Sequence, residues 1–426
     1  LQAADVVIVG AGPAGAAAAH TLAAKGADVL LLERAHFPRD KSCGDGITAH
    51  AVDILHAMGV TFDRFAGRGV MTYGGLIGGP NSKTFAAHPP PAADGTPVVC
   101  WVVPRLVLDA EVAYAAVRAG ARLAQGSTVT AVSRSNGAAS GVDYSDSAGV
   151  HHVAAKVVIG ADGANSIVAK SLGVRDASKR HLGFALRGYY EGVSSLGDDL
   201  EIYYYDARIL PGYGWIFPTG EATANVGIGI YAGELERSSR KLRDILDDFI
   251  EREPNVAARM RDARPVGRAI GWPLPVWGAR TPCVFEGAML CGDAASLVDP
   301  LTGEGIYTAL VSGRSAGRAA LQALTTGDAS AGALRQHERE WMDVALGYLS
   351  SGRLLKNLAK SATLMNLIVR RGAESPYYAS RAIGYGLGTL DRKRALRSIV
   401  MKAVFNPSFF GARPLREERA SSARTP

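Results

Sequence analysis

The chain has 426 residues, 47% of them from the hydrophobic set, with 50 glycines and a formal net charge of +7. That length predicts two or three domains around a sizeable core, and the composition excludes a disordered or fibrous chain. The four cysteines, Cys43, Cys100, Cys283 and Cys291, match no zinc or redox spacing, so neither a metal centre nor a disulfide framework is expected, as suits a reducing cytoplasm.

In chain order, Asp5 leads four apolar residues into Gly10-Ala-Gly12-Pro-Ala14-Gly15, followed by a small-residue stretch of helical length and a second apolar run closing at Glu33-Arg34. This spells strand, turn, helix, strand, the βαβ unit that cradles a dinucleotide. Gly10 permits the tight turn, Gly12 lets backbone approach a pyrophosphate and Gly15 brings the helix close to the strand. The phosphates would meet free N–H groups at the helix N-terminus, and the Glu33 carboxylate is placed to accept from a ribose. The loop His36–Gly46 follows on the ligand side of the sheet, before a helical pattern from Thr48 to Gly59.

Residues 67–97 are rich in glycine, proline and small side chains and read as an excursion into a second domain. A strand-like segment then ends at Arg105, with an amphipathic helix over Leu106–Ala119. Short strands are expected within Ala121–Val132, Gly141–Tyr144 and His151–Ile159, the last running into Gly160-Ala-Asp162-Gly163. From Leu182 to Pro275 alternating, aromatic-rich segments predict an antiparallel sheet, interrupted by a charged helical segment at Arg237–Arg252. Val284–Leu290 reads as a return strand before Cys291-Gly292-Asp293, and Pro300-Leu-Thr-Gly303-Glu-Gly305 precedes a helix from Ile306 to about Leu324.

The remainder is mostly helical. Its apolar stripe of Trp341, Ala345, Tyr348, Leu355, Leu358, Met365 and Ile368 is expected to pack in a core. From Ala331 to Pro426 there are 17 Lys and Arg against 7 Asp and Glu, leaving −3 for the rest of the chain. Such a basic tail suits either a solvated face or an anionic membrane surface. No nucleic-acid partner is expected, because no reading motif or stacking platform accompanies the charge. No secretory leader is expected, and no run approaches the roughly 20 apolar residues that span a bilayer.

Three separated segments therefore point at one cofactor. Gly10-x-Gly12-x-x-Gly15 with Glu33, Gly160-Ala-Asp162-Gly163, and Gly292-Asp293 with Pro300-x-x-Gly303-x-Gly305 resemble the FAD-dependent oxidoreductases of the aromatic-hydroxylase-like superfamily over about residues 5–325. The resemblance implies a mixed α/β fold: a Rossmann-like FAD-binding domain, an inserted antiparallel-sheet substrate domain and a helical C-terminal region. It places Asp162 and Gly163 by the pyrophosphate, the Asp293 carboxylate on the ribityl chain, and the helix after Pro300 with its N-terminus toward the flavin's pyrimidine end, where its dipole favours a reduced, anionic ring. Arg105 matches a position near the phosphate or ribityl oxygens, and Ala14, Arg34, Cys43 and Gly44 join the implied cofactor contacts.

Two further segments narrow the resemblance. Pro38-Arg-Asp-Lys-Ser-Cys43-Gly44-Asp45-Gly46 is similar to the P-x-x-x-x-C-G-G-G loop of the geranylgeranyl reductase family, departing from it at Asp45. Tyr213-Gly-Trp215-Ile-Phe217-Pro218, followed by Gly227, is similar to that family's Y-x-W-x-F-P…G substrate motif. The implied activity is reduction of carbon–carbon double bonds in a prenyl or isoprenoid lipid or quinone. Tyr213, Trp215 and Phe217 would line the substrate pocket, and Cys43 or Tyr213 would donate the proton. With no second dinucleotide fingerprint, NAD(P)H would bind transiently or a separate reductase would supply the electrons. The same scaffold also carries flavin monooxygenases and halogenases, and a redox-neutral cyclase with structural FAD would show the same glycines. The expected bounds are 1–75, 98–175 and 280–330 for the FAD-binding domain, 76–97 and 176–279 for the substrate domain, and 331–426 for the helical region. The expected location is cytoplasmic, with peripheral membrane contact through the basic tail.

Overall fold

A computed structural model describes residues 2–92, 94–174, 178–278 and 281–390, and every count below refers to these. The basic segment at 391–426, on which much of the membrane expectation rests, lies outside them. Among the described residues no helix is long and apolar enough to cross a membrane.

The first strand, Gln2–Val9, sits at the centre of an eight-stranded sheet, parallel to Val29–Glu33 on one side and to Gly149–Gly160 on the other. Arg122–Gln125 extends the parallel array beyond Val29–Glu33, while Thr128–Ser135 and Ala138–Asp146 form an antiparallel extension folded back on Gly149–Gly160. The period of two along the first strand divides the core. Val6 and Ile8 join a cluster with the alanine-rich helix Pro13–Ala23, whereas Val7 and Val9 join a second cluster on the opposite face. A run apolar at every position, buried on both sides, is what a central parallel strand requires.

The helix Ile306–Thr326 crosses Pro13–Ala23 at close range because it presents glycine at the contact: a Cβ on Gly313 would lie 2.0 Å from the Ala14 carbonyl oxygen, and one on Gly317 2.8 Å from Thr21 Cβ. This crossing brings the N-terminal end of the long helix and the glycine-rich turn to the same side of the sheet.

A second sheet of seven strands is ordered Arg264–Pro275, Leu182–Glu191, Thr223–Tyr231, Tyr213–Gly220, Leu200–Tyr203, Gly75–Gly78 and Thr84–Ala87. It is antiparallel except where Leu200–Tyr203 pairs in parallel with Gly75–Gly78. Thus the glycine- and proline-rich excursion supplies the last two strands at one end of this sheet, with Thr84–Ala87 at the edge. Helices Leu242–Arg252 and Pro254–Met260 cover its outer face, with Ile245, Leu246 and Phe249 packed on Ile216, Val226 and Ile228. The inner face turns toward the first sheet.

Three expectations need correction. The charged stretch is two helices, Ala232–Ser238 and Leu242–Arg252, because Ser239 takes a left-handed conformation (φ +52°) that ends the first. Val284–Leu290 is a tight hairpin of Val284–Phe285 and Ala288–Leu290, and only the second strand runs parallel to Gly149–Gly160. The turn depends on Gly287 at φ +71°, where a Cβ would also come within 2.4 Å of the Ala139 oxygen. Finally, the C-terminal stripe does not pack as one core. Trp341, Ala345, Tyr348 and Met365 are buried, but Leu358 is 42% exposed and Leu355 and Ile368 only partly covered. The chain turns between the helices Ala331–Leu358 and Ala362–Glu374, so the helical spacing is not continuous across the break.

Gly313→Val would force apart the two helices that carry the turn. Overpacking of this kind costs about 1–3 kcal/mol. The expected outcome is a lower Tm in thermal denaturation with loss of bound flavin, and an unchanged Tm would contradict the close crossing.

Candidate active site

The glycine-rich turn is built by sterics. Gly10 sits at φ +95°, and a Cβ there would approach the Ala161 oxygen to 2.5 Å; one on Gly15 would reach 1.8 Å from the Gly10 oxygen. Gly12 caps the helix without any side-chain hydrogen bond, and what lies above it is the Arg39 guanidinium, 3.9 Å from where its Cβ would be. An uncapped helix N-terminus beside glycines that admit no side chain, with a cation above, fits the pyrophosphate of FAD.

Glu33 is buried, and its two oxygens accept from Ala11 N (3.0 Å) and Ala35 N (3.1 Å). Its carboxylate therefore shapes the turn itself, whatever contact it makes with a ribose. Arg34, one residue on, is exposed. Asp162 is likewise committed locally: it accepts from the hydroxyl of Ser166 (2.5 Å), the N-cap of the helix Ile167–Ser171, and from that helix's Ile167 N (2.7 Å). In this segment it is the backbone at Ala161 and Asp162, packed on Gly10, that faces the cradle, while Gly163 turns the chain at φ +80°.

Arg105 is buried and forms a bidentate pair with Asp109, Nε to Oδ1 at 2.6 Å and Nη2 to Oδ2 at 2.8 Å. Arg39 donates to the same carboxylate at 2.5 Å and lies 3.5 Å from Glu33. Burial alone would raise the Asp109 carboxyl, but the two guanidinium groups together hold it below its ordinary value. Arg39 and Arg105 thus converge on the one Asp109 carboxylate. The i,i+4 spacing of Arg105 and Asp109 was a readable sign of their pairing; the convergence of Arg39 on it was not.

On the far side, Gly292 (φ +56°) donates its N–H to Ser312 Oγ at 3.0 Å, and Asp293 meets Lys41 Nζ at 3.5 Å. Pro300 accepts from the Tyr231 hydroxyl. Gly303 turns at φ +65° beside Tyr213, and Gly305 is the N-cap of the helix Ile306–Thr326, whose first turn donates Tyr307 N–H to Glu304 Oε1 at 2.6 Å.

That cavity, about 210 Å³, joins the cradle to the second sheet. At one end stand Pro13, Cys43, Gly44, Arg105, Asp293, Gly303 and Gly305; along the wall are Tyr213, Trp215, Phe217 and Trp272; at the other end are Leu76, Ile77, Leu200, Ile202, Ile383 and Leu387. The alternation of a strand turns Tyr213, Trp215 and Phe217 to one face. Gly227 lies opposite Trp215 across the strand pair, and a Cβ there would come within 2.3 Å of the indole, which accounts for the glycine that follows the aromatic motif. The helix Pro376–Gly386 supplies Ile383 from the C-terminal region, a contribution no local pattern announced.

The two expected proton donors differ in availability. The Tyr213 hydroxyl donates to the Thr302 carbonyl, and burial pushes it well above its ordinary value. The Cys43 sulfur accepts from Asp45 N at 3.3 Å, and burial raises the thiol while the nearby Arg105 guanidinium opposes the rise. Asp45, which the sequence marks only as a departure within a glycine turn, is fully buried. Its carboxylate accepts from the Tyr189 hydroxyl (2.6 Å), Asn225 Nδ2 (2.7 Å) and Arg105 N (3.3 Å).

A dinucleotide cradle opening on an oily, aromatic-walled cavity defines an FAD-dependent oxidoreductase. Residues 3–194 match the FAD binding domain family and residues 196–266 match the geranylgeranyl reductase catalytic domain. Digeranylgeranylglycerophospholipid reductase 2 of Methanopyrus kandleri is 36% identical over 340 residues, spanning 79% of this chain and 82% of that protein. A menaquinone reductase of Mycobacterium tuberculosis is 36% identical over 321 residues, 74% of this chain and 75% of that protein. Among solved structures, a geranylgeranyl bacteriochlorophyll reductase-like protein of Thermoplasma acidophilum superposes with a TM-score of 0.81 at 25% identity, covering 95% of this chain and 99% of that one. The chain belongs to the geranylgeranyl reductase family of FAD-dependent enzymes.

Asp109→Asn removes the charge that two buried guanidinium groups share. Breaking a buried pair on one side costs about 3–5 kcal/mol. The purified variant is expected to carry less FAD per chain, read from the flavin-to-protein absorbance ratio, and to melt earlier. Full flavin content with an unchanged Tm would contradict the assignment.

Proposed function

We propose that this protein reduces isolated carbon–carbon double bonds in a prenyl chain attached to a lipid or quinone head. The observation that carries the reading is the single cavity, which runs from the cofactor cradle along Tyr213, Trp215 and Phe217 to an aliphatic end at Leu76, Ile77, Leu200 and Ile383. The names of the relatives, reductases of a digeranylgeranyl lipid and of menaquinone, support the same class of substrate.

FAD bound in the cradle supplies the hydride once reduced. The cavity wall holds a saturating chain by contact area alone and excludes water, while alternate strand residues set which carbon lies against the cofactor end. The second carbon needs a proton, and Cys43 is the better donor of the two candidates. Its raised value keeps the thiol protonated near neutral pH, and its S–H is not consumed by the Asp45 contact, in which sulfur is the acceptor. The thiolate left behind would lie beside the Arg105 guanidinium and keep the Asp45 N–H, both of which offset its burial. Tyr213, with its proton on Thr302, fixes the loop Pro300–Gly305 and forms wall.

Electrons come from transient NAD(P)H or from a separate reductase. The protein acts in the cytoplasm, and the basic C-terminal region docks it on an anionic membrane surface where such substrates reside, each Lys or Arg near the headgroups contributing about 1 kcal/mol.

The test is turnover in heavy water with dithionite-reduced enzyme and a prenyl lipid, followed by mass spectrometry. Because dithionite supplies electrons and no hydrogen, the hydride and the proton both originate in solvent, and two deuteriums are expected per reduced bond. Cys43→Ala should slow the step by about 10²–10⁴, whereas Tyr213→Phe, losing one hydrogen bond of about 1 kcal/mol, should keep most of the rate. A fully active Cys43→Ala would remove Cys43 from the proposal.

A further inference from the structure

Asp45 occupies a position where the family loop it resembles has glycine, and its conformation is one that favours glycine, at φ +65°. Its backbone is held from both sides, N–H to Cys43 Sγ and carbonyl to Val103 N at 3.0 Å. A buried, left-handed aspartate invites the question of what its carboxylate holds.

The answer follows from the register of the second sheet. Tyr189 pairs with Asn225, and Asn225 with Phe217, so these three stand in one row across adjacent strands on the face toward the loop. The Asn225 side chain is fully buried and all three of its visible bonds are used. Nδ2 donates to the Cys43 carbonyl (2.7 Å) and to Asp45 Oδ2 (2.7 Å), while Oδ1 accepts from Trp215 Nε1 (2.9 Å). An ionised carboxylate can only accept. It therefore selects the amide orientation in which nitrogen faces the loop and oxygen faces the indole; the flipped amide would set two acceptors against each other and leave both the Cys43 carbonyl and the Trp215 N–H without partners.

We infer that Asp45 is a positioning residue: its carboxylate fixes the Asn225 amide, and through it locks the Cys43 loop to the Trp215 wall, so that proton donor and substrate wall keep one relative placement. The inference about catalysis rests on the proposed reduction, but the lock itself is a property of the folded chain.

The lock responds to pH with a definite sign. The groups facing Asp45 are Tyr189 and Arg187 from one strand, Asn225 from the next, Arg105 from the helix that begins there and Cys43 from its own loop; Arg187 is paired with Asp40 and Arg105 with Asp109. Burial pushes the Asp45 carboxyl up to about 6, against the opposing hydrogen bonds of Tyr189 and Asn225 and the two guanidinium charges. Above that value the carboxylate holds the amide. Below it the neutral acid accepts more weakly and no longer discriminates between the two amide orientations, so Asp45's share of the lock is released and the Cys43 carbonyl and the Trp215 N–H alone hold the amide. Because the folded value exceeds the unfolded one, Asp45's contribution to global stability is fully present at low pH and is lost as pH rises through about 6. Release of the lock on acidification is therefore opposite in sign to this group's effect on unfolding.

The experiment uses the full-length FAD holoenzyme with ¹⁵N-labelled tryptophan and no substrate. The Trp215 indole N–H resonance, assigned with Trp215→Phe, is followed from neutral to mildly acid pH. A single step with its midpoint near 6 is expected, absent in Asp45→Asn and moved upward in Tyr189→Phe, which removes a bond that favours the ionised form. A flat wild-type titration, or the same step in Asp45→Asn, overturns the inference. Should Asp45→Asn fail to fold, Tyr189→Phe decides: a raised midpoint supports the lock and an unmoved one overturns it. An enzyme inert on every prenyl substrate would defeat the proposed function while leaving this titration to be read independently.

Discussion

The two sheets meet across a reactive loop that offers no side chains at two points. A Cβ on Gly44 would lie 3.1 Å from the Phe217 ring and 3.4 Å from the Trp215 nitrogen, and one on Gly46 3.4 Å from Phe217. With hydrogens there instead, the aromatic strand rests directly on the segment carrying Cys43, and the thiol opens into the cavity that strand walls. A Cβ at Gly44 would press the Phe217 ring, whereas one at Gly46 would meet it at ordinary contact distance. The rest of the architecture, from the glycine-mediated helix crossing to the covering helices of the second sheet, holds this contact in place.

A second organising feature is a line of alternating charge from the phosphate turn to the thiol. Glu33 shapes the turn and meets Arg39, Arg39 meets Asp109, Asp109 grips Arg105, and the Arg105 guanidinium faces Cys43. None of these charges stands alone, which is the condition under which ionised groups are tolerated in an interior. The same residues that complete the cofactor cradle thereby set the electrostatic environment of the proposed proton donor. Fold stability and chemistry are linked at Asp109.

The parts legible in the sequence were those whose cause is local. The strand-turn-helix with its glycines, the alternation of Tyr213, Trp215 and Phe217, and the change from parallel to antiparallel architecture all follow from short-range periodicity and backbone sterics, and the motif pair pointed to the correct family. What escaped was set by tertiary placement. Asn225 reaches loop residues about 180 positions earlier in the chain, and nothing in its neighbourhood distinguishes it from an ordinary strand asparagine. The Asp162 carboxylate accepts from the Ser166 hydroxyl and the Ile167 N–H, a local commitment that only the hydrogen bonds reveal. The break at Ser239 depends on a left-handed residue that is not glycine, so no composition signal marked it.

The claim on which everything turns is that the oily chamber and the flavin cradle form one reaction space for an unsaturated chain. Stopped-flow absorbance in the strict absence of oxygen addresses it most directly: dithionite-reduced holoenzyme is mixed with a prenyl lipid or quinone bearing isolated double bonds, and the flavin band is watched for reoxidation. The structure predicts return of the oxidised spectrum at a rate that saturates with substrate. A flavin that stays reduced until oxygen is admitted, or conversion of the substrate by oxidised enzyme with no reductant, would contradict it.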